Sequence, residues 1–198
     1  MLDWIYRFDL SVFNAVFQLH SPVLNFFMKT ITYLGEDGLF WIILAVVLCL
    51  FRKTRRFGVF LAGALLIEVL FNELVLKSIF ERPRPFNYQP WQDAGLYVFP
   101  EIVPRPSSFS FPSGHTASSF AAATVLFCAN KKWGTPALVL AALIGFSRVY
   151  CGVHYCTDVL AGMLVGIVVG IAAYFLIRAL FRLLKQKKPG ITKYFDGI

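Results

Sequence analysis

Asp158-Val159-Leu160-Ala161-Gly162-Met163-Leu164-Val165-Gly166-Ile167-Val168-Val169-Gly170-Ile171-Ala172-Ala173-Tyr174-Phe175-Leu176-Ile177-Arg178-Ala179-Leu180-Phe181 decides the fold. After its opening aspartate this run carries only one charge, Arg178. As a helix rising ~1.5 Å per residue it is long enough for the ~30 Å hydrocarbon layer of a bilayer. Four more apolar segments, at 39–51, 57–77, 114–130 and 135–150, repeat the pattern, although 39–51 and 114–130 are short. The whole chain of 198 residues is 58% hydrophobic and 15% charged, with a mean hydropathy of +0.65. A soluble domain of this size carries more charge and less apolar sequence. The expectation is an all-α, polytopic membrane bundle with about six helical segments, in one domain.

The ends of the bundle read more variably. Residues 3–33 predict amphipathic to apolar helix interrupted at His20-Ser21-Pro22, with Trp4, Tyr6, Phe8 and Phe13 suited to a membrane interface. Whether 1–33 spans or lies on the surface is open. The start, Met1-Leu2-Asp3-Trp4, has no basic run leading into an apolar core, so no cleaved signal peptide is expected. The connection 78–112 is rich in proline and aromatics and predicts a loop cap rather than a further span.

Charge sets the topology. The formal net charge is +8, held mainly in Arg52-Lys53-Thr54-Arg55-Arg56, Lys131-Lys132 and the segment from Arg178 onward. These clusters flank apolar segments as the positive-inside rule expects, with no nucleic-acid motif beside them. With Arg52–Arg56 in the cytoplasm, the alternation of spans puts all three clusters on that side. The opposite side then keeps Lys77, Arg82, Arg84, Arg105 and Arg148, so the polar motifs sit at the outer ends of their helices.

Three blocks carry the chemistry. Lys77 closes an apolar segment and Arg84-Pro85 follows; arginine offers a planar fork for phosphate oxygens and lysine a mobile point charge. Pro112-Ser113-Gly114-His115 opens a helix, where Ser113 can cap and exposed N–H groups favour an anion. Ser147-Arg148 leads to His154 and, four residues later, Asp158, a carboxylate able to fix an imidazole tautomer. Singly, each has a bland reading as snorkelling, capping or packing. Glu68, Asn72 and Glu73 lie inside the 57–77 segment, where carboxylates are functional suspects. Glu73, four residues before Lys77, is expected to support that lysine as a helical ion pair.

Cysteine usage points to no disulfide framework. Cys49 and Cys128 read as packing residues, and Cys151 and Cys156 as free thiols, with a disulfide between them the alternative. Their spacing with His154 and Asp158 is too tight for a usual zinc site, so no metal and no cofactor are expected.

Taken together, Lys-x6-Arg-Pro, Pro-Ser-Gly-His and Ser-Arg-x5-His-x3-Asp resemble the type 2 phosphatidic acid phosphatase (PAP2) superfamily, which includes membrane lipid phosphatases and vanadium haloperoxidases. The likeness covers roughly residues 57–181, with all three blocks complete. The resemblance implies a metal-independent phosphatase with a helical-bundle core. It implies His154 as the nucleophile of a phosphohistidine, Asp158 as its orienting carboxylate and His115 as general acid. It further implies a phosphate cradle of Lys77, Arg84, Ser113, Gly114 and Arg148. The expected substrate is a lipid phosphate or pyrophosphate, such as a polyprenyl pyrophosphate, phosphatidylglycerophosphate or phosphatidic acid. The expected location is the cytoplasmic membrane with the site on the extracytoplasmic face, 57–181 as catalytic core and 182–198 as a basic cytoplasmic tail. Membrane lipids are the expected surroundings, with no nucleic acid and no obligatory protein partner. Competing expectations are a lipid phosphotransferase using the same intermediate and a non-catalytic anion-binding or transport protein. Against the last, two histidines and a carboxylate exceed what binding needs, and no inverted repeat is visible.

Overall fold

The computed structural model describes residues 3–97 and 99–187, without the side chains of Asp3, Glu73 and Lys187. Among these residues there are seven longer helices and no strand: α1 Asp3–Phe17, α2 Pro22–Leu34, α3 Leu39–Leu50, α4 Arg55–Phe71, α5 Gly114–Ala129, α6 Lys131–Tyr150 and α7 Cys156–Lys187. The N-terminal region supplies two of them, which takes the total past the expected six. α4 continues through a π-turn, Asn72–Leu76, into a last turn, Lys77–Phe80.

Two boundaries differ from expectation for local reasons. The helix expected at 135–150 begins at Lys131, because Asn130 caps it by accepting a hydrogen bond from Lys132 N at 2.9 Å. Only that one residue separates α5 from α6. Glu73 lies in the π-turn and Lys77 opens the α-helical turn after it, so the interval between them is wound partly as π rather than α. The side chain of Glu73 itself lies outside the described residues.

α5 is the central element. Residues Thr116 to Leu126 are buried on every side, the mark of a helix wrapped by others. Its small residues, Ala117, Ala121, Ala122 and Ala123, are fully buried and admit close neighbours. α7 runs parallel to it and presents three glycines at helical spacing. A Cβ at Gly162 would stand 2.7 Å from Ser113 O, one at Gly170 2.8 Å from Ala121 O, and one at Gly166 would press on Ala117 O. Lipid gives helices no hydrophobic drive to associate, so small-residue stripes that bring backbones together provide much of the packing. The other face of α7 carries Leu164, Val168 and Phe175, all exposed, as a lipid-facing surface must be. The protein is an integral membrane protein. The stretch beginning at Arg55, together with α6 and α7, has the length and hydropathy to cross a bilayer. α2 and α3, bent by 46°, can form one more span.

The chain direction of α4 to α7 gathers one end of the bundle around the motifs. α4 ends near Lys77, α5 starts at Gly114, α6 ends beyond Arg148 and α7 starts beside His154. The basic turns at Arg52–Arg56 and Lys131-Lys132 lie at the opposite end. Over the motif end sits the 78–112 connection, with short helical turns at Pro85–Asn87 and Gln89–Asp93. It joins α1 through an aromatic cluster: Phe13 meets Trp91 and Phe99 at ring distances of 5.3 and 4.7 Å, and Tyr6 stacks on Tyr88 at 4.3 Å. The 3–33 region therefore forms an α1–α2 pair with α1 packed on the cap.

Replacing Gly166 with leucine should separate α7 from α5. Overpacking of this kind costs about 1–3 kcal/mol, so thermal unfolding in detergent should fall by about 3–8 °C. Val168→Leu on the exposed face should leave the midpoint unchanged.

Candidate active site

The connection between α6 and α7 places His154. It turns at Gly152, whose φ of +69° lies in the left-handed region, and a side chain there would meet the Tyr97 hydroxyl at 2.8 Å. His154 follows in the turn, outside the helices, so it does not share a helix face with Asp158 as the four-residue spacing suggests. Asp158 instead occupies the first turn of α7 and reaches back, its Oδ2 accepting from Tyr155 N at 3.0 Å. That is the reciprocal half of a capping box, with aspartate at the third helical position. The same oxygen accepts from the Ser110 hydroxyl at 2.5 Å and faces His154 Nδ1 at 3.4 Å.

The tautomer of His154 follows from its other neighbour. Arg84 Nη1 lies 3.1 Å from His154 Nε2. A guanidinium can only donate, so Nε2 holds the lone pair and a neutral ring carries its proton on Nδ1, toward Asp158. His154 is 2% exposed. Burial first, then the cations of Arg84, Arg148 and Lys77, push its pKa well below the usual histidine value. The ring is held neutral.

Arg84 is itself fixed. Its Nε donates to Ser108 O at 2.7 Å, its Nη1 to Val153 O at 2.9 Å and its Nη2 to the Ser108 hydroxyl at 3.0 Å. Arg148 donates from Nη1 to the Thr32 hydroxyl at 2.6 Å. Its Nε is buried with no hydrogen-bond partner, a donor left over for an anion. Ser113 sits at the N-cap position of α5, fully buried, but its hydroxyl makes no capping bond. It accepts from the Thr116 hydroxyl at 3.0 Å instead, which corrects the expectation of a serine cap. Lys77, Arg84, Gly114, His115, Arg148 and His154 line one cavity of about 430 Å³. The two imidazoles thus meet in one space at one end of the bundle, with Asp158 and Ser113 supporting the wall from behind.

A second layer of ionic contacts went unread in the sequence. Arg82 donates from Nη1 to Asp158 Oδ1 at 2.6 Å and to the Thr157 hydroxyl at 2.8 Å, and from Nη2 to Asp9 Oδ2 at 2.8 Å. Its guanidinium lies 3.8 Å from the centre of the Tyr155 ring, a cation–π contact. Asp9 comes from α1 and is fully buried. It also accepts from Thr157 N at 2.9 Å and from the Thr157 hydroxyl at 2.7 Å. A side chain from another helix therefore satisfies an N-terminal donor of α7. The one signal was the doubled Arg-Pro of Arg82-Pro83-Arg84-Pro85; nothing local marked Asp9.

All four cysteines are free. Burial pushes the Cys151 thiol up to about 11, so it is a packing group rather than a thiolate.

Two imidazoles and three cations sharing one cavity at the end of an apolar helical bundle define a membrane enzyme built to work on phosphate esters. The sequence comparisons agree: the PAP2 superfamily model matches residues 56–182, and the chain belongs to that superfamily. An undecaprenyl-diphosphatase from Sulfolobus acidocaldarius is 31% identical over 162 residues, covering 80% of this chain and 73% of that protein. Among solved structures, a transmembrane PAP2-type phosphatidylglycerolphosphate phosphatase from Bacillus subtilis matches with a TM-score of 0.69 and 28% identity, covering 92% of this chain and 89% of that one. LpxE from Aquifex aeolicus matches with a TM-score of 0.70 and 32% identity, covering 83% and 93%.

Two outcomes follow from the geometry. Asp9→Ala and Arg82→Ala should each lower the unfolding midpoint, since breaking a buried ion pair costs about 3–5 kcal/mol. The double variant should lose clearly less than the sum of the two, by about 1–3 kcal/mol; strict additivity would show that the residues are uncoupled. Imidazole resonances of a protein with His20 and His115 replaced should report His154 still neutral at about pH 5.5, where an unperturbed histidine is mostly protonated. A midpoint near the unperturbed value would contradict the buried, cation-flanked setting.

Proposed function

We propose that this chain hydrolyses a membrane lipid phosphate or pyrophosphate through a phosphohistidine on His154. The single observation that carries the reading is the polarity of that ring: Nδ1 faces the buried Asp158 carboxylate while Nε2, with its lone pair, faces the cationic side. In the first step Nε2 attacks phosphorus, the bond to the leaving oxygen breaks, and His115 donates the proton that oxygen needs. Asp158 stabilises the positive charge growing on the His154 ring. In the second step His115 takes a proton from water, whose oxygen attacks phosphorus and releases the imidazole.

Lys77, Arg84, Arg148 and the start of α5 at Ser113 and Gly114 hold the phosphoryl oxygens, where positioning and charge stabilisation supply most of the rate. For Arg84 this requires exchange of a protein contact for a phosphate oxygen. Glu73 is assigned by its sequence spacing as a support for Lys77. Residues 57–181 form the catalytic core, and 182–198, of which 188–198 lie outside the described residues, are assigned as a basic cytoplasmic tail. The site faces the extracytoplasmic side; the basic turns at the other end of α4 to α7 support that orientation. The relatives named above act on undecaprenyl diphosphate and on phosphatidylglycerolphosphate by their names, and both belong to the substrate class assigned here.

Phosphate release from purified lipid phosphates should continue undiminished in chelator. His154→Ala should abolish it, and His115→Ala should lower kcat by about 10²–10⁴-fold. Quenching during turnover should trap an acid-labile phosphate on intact protein and none on His154→Ala. Full release by His154→Ala would remove the proposed nucleophile.

A further inference from the structure

The cavity that holds the two imidazoles does not stop at them. It continues along the inner face of α4 past Asn72 and Glu68, and along the α2–α3 turn past Glu36 and Asp37. Asn72 and Glu68 are each 1% exposed and stand one helical turn apart, so they share a face. Asn72 opens the π-turn, an irregularity that recurs at functional positions. Its Oδ1 is buried with no hydrogen-bond partner. An unmet acceptor in an apolar bundle is costly, and an aliphatic side chain would fit the segment better unless a donor arrives from outside the chain.

The chemistry of this wall is opposite to that of the phosphate cup. The cup is made of donors and positive charge. The wall presents an unsatisfied amide oxygen and three carboxylate side chains, which are acceptors with negative charge when ionised. Phosphate oxygens only accept, so a second phosphate attached beyond the scissile one meets repulsion there. Hydroxyl groups donate and are welcomed. Resting on the phosphatase reading above, we propose that Asn72 and Glu68 form a leaving-group subsite that takes a hydroxyl-bearing headgroup, a polyol or sugar, over a second phosphate. Family likeness leaves this choice open, since the relatives are named for both kinds of substrate.

The test compares two substrates on full-length protein in lipid–detergent micelles. One is a glycolipid monophosphorylated on its sugar, whose leaving group carries hydroxyls and no other phosphate; the other is a prenyl diphosphate, whose scissile phosphate sits on another phosphate. The kcat/KM ratio of the first to the second should exceed about tenfold for the unmodified protein. It should fall about tenfold in Asn72→Leu and in Glu68→Gln, and be retained in Asn72→Asp, which keeps an acceptor. Because the ratio is taken within one preparation, a reduced folded fraction cancels. A preference for the diphosphate, or a ratio unmoved by both variants, overturns the subsite while leaving the phosphatase intact. Release of phosphate from neither substrate overturns the phosphatase reading and the subsite with it.

Discussion

Arg82 lies between two carboxylates that water does not reach, Asp9 and Asp158, and the site depends on that contact. Moving three charges out of water is expensive, and their attraction offsets the cost only when nearly every donor and acceptor is used. Here they are used. Arg82 adds Thr157, Asp9 adds the backbone and hydroxyl of Thr157, and Asp158 adds Ser110 and the backbone of Tyr155. The contact joins three pieces of chain: α1, the proline-rich connection and the start of α7. Its rigidity passes to His154, because Asp158 is the group that Nδ1 faces.

The two parallel helices at the centre are treated differently at their starts. α7 has its N-terminal donors met by carboxylates, one from its own first turn and one from α1. α5 has a serine at the capping position whose hydroxyl is turned to Thr116, while Gly114 lines the cavity. Positive partial charge at a helix start attracts anions when no side chain has already answered it. The glycine stripe of α7 gives this its spatial meaning. By letting α7 lie against the α5 backbone, Gly162 brings Ser113 O within van der Waals reach of α7, which sets the α5 start and His154 on adjacent sides of one cavity.

Much of this was readable because it is written locally. Bilayer-length runs such as 158–181 announce helices by hydropathy alone, and Lys77, Arg84, His115, Arg148 and His154 stand out as charge or imidazole next to apolar sequence. What escaped is what pairs at long range. Asp9 and Arg82 are 73 residues apart, and each taken singly looks like an interfacial charge. Asn130 as a cap, the π-turn after Phe71 and the diverted hydroxyl of Ser113 were also hidden, since each is decided by which hydrogen bond wins among several that the sequence permits. At Asp158 one geometry serves both ends: the bond back to Tyr155 N is what aims its carboxylate at the His154 ring.

Charge balance explains why such an end of the bundle suits a phosphate ester. The triad of Asp9, Arg82 and Asp158 carries two negative charges against one positive, so it leaves one negative charge. The cavity wall carries three cations, Lys77, Arg84 and Arg148, and His154 is kept neutral. These cations stand at the motif end of the cavity, where the roughly 1.5–2 negative charges of a phosphate monoester at neutral pH would meet them, while Glu36, Asp37 and Glu68 line its further reach. Cations gathered next to a bilayer are costly by themselves, and an arriving phosphoryl group relieves that cost. The neutral ring matters to the same balance: a protonated His154 would add charge and lose the lone pair together. Keeping it buried among guanidinium groups preserves the Nε2 lone pair that the proposed mechanism uses and leaves the positive charge to Lys77, Arg84 and Arg148.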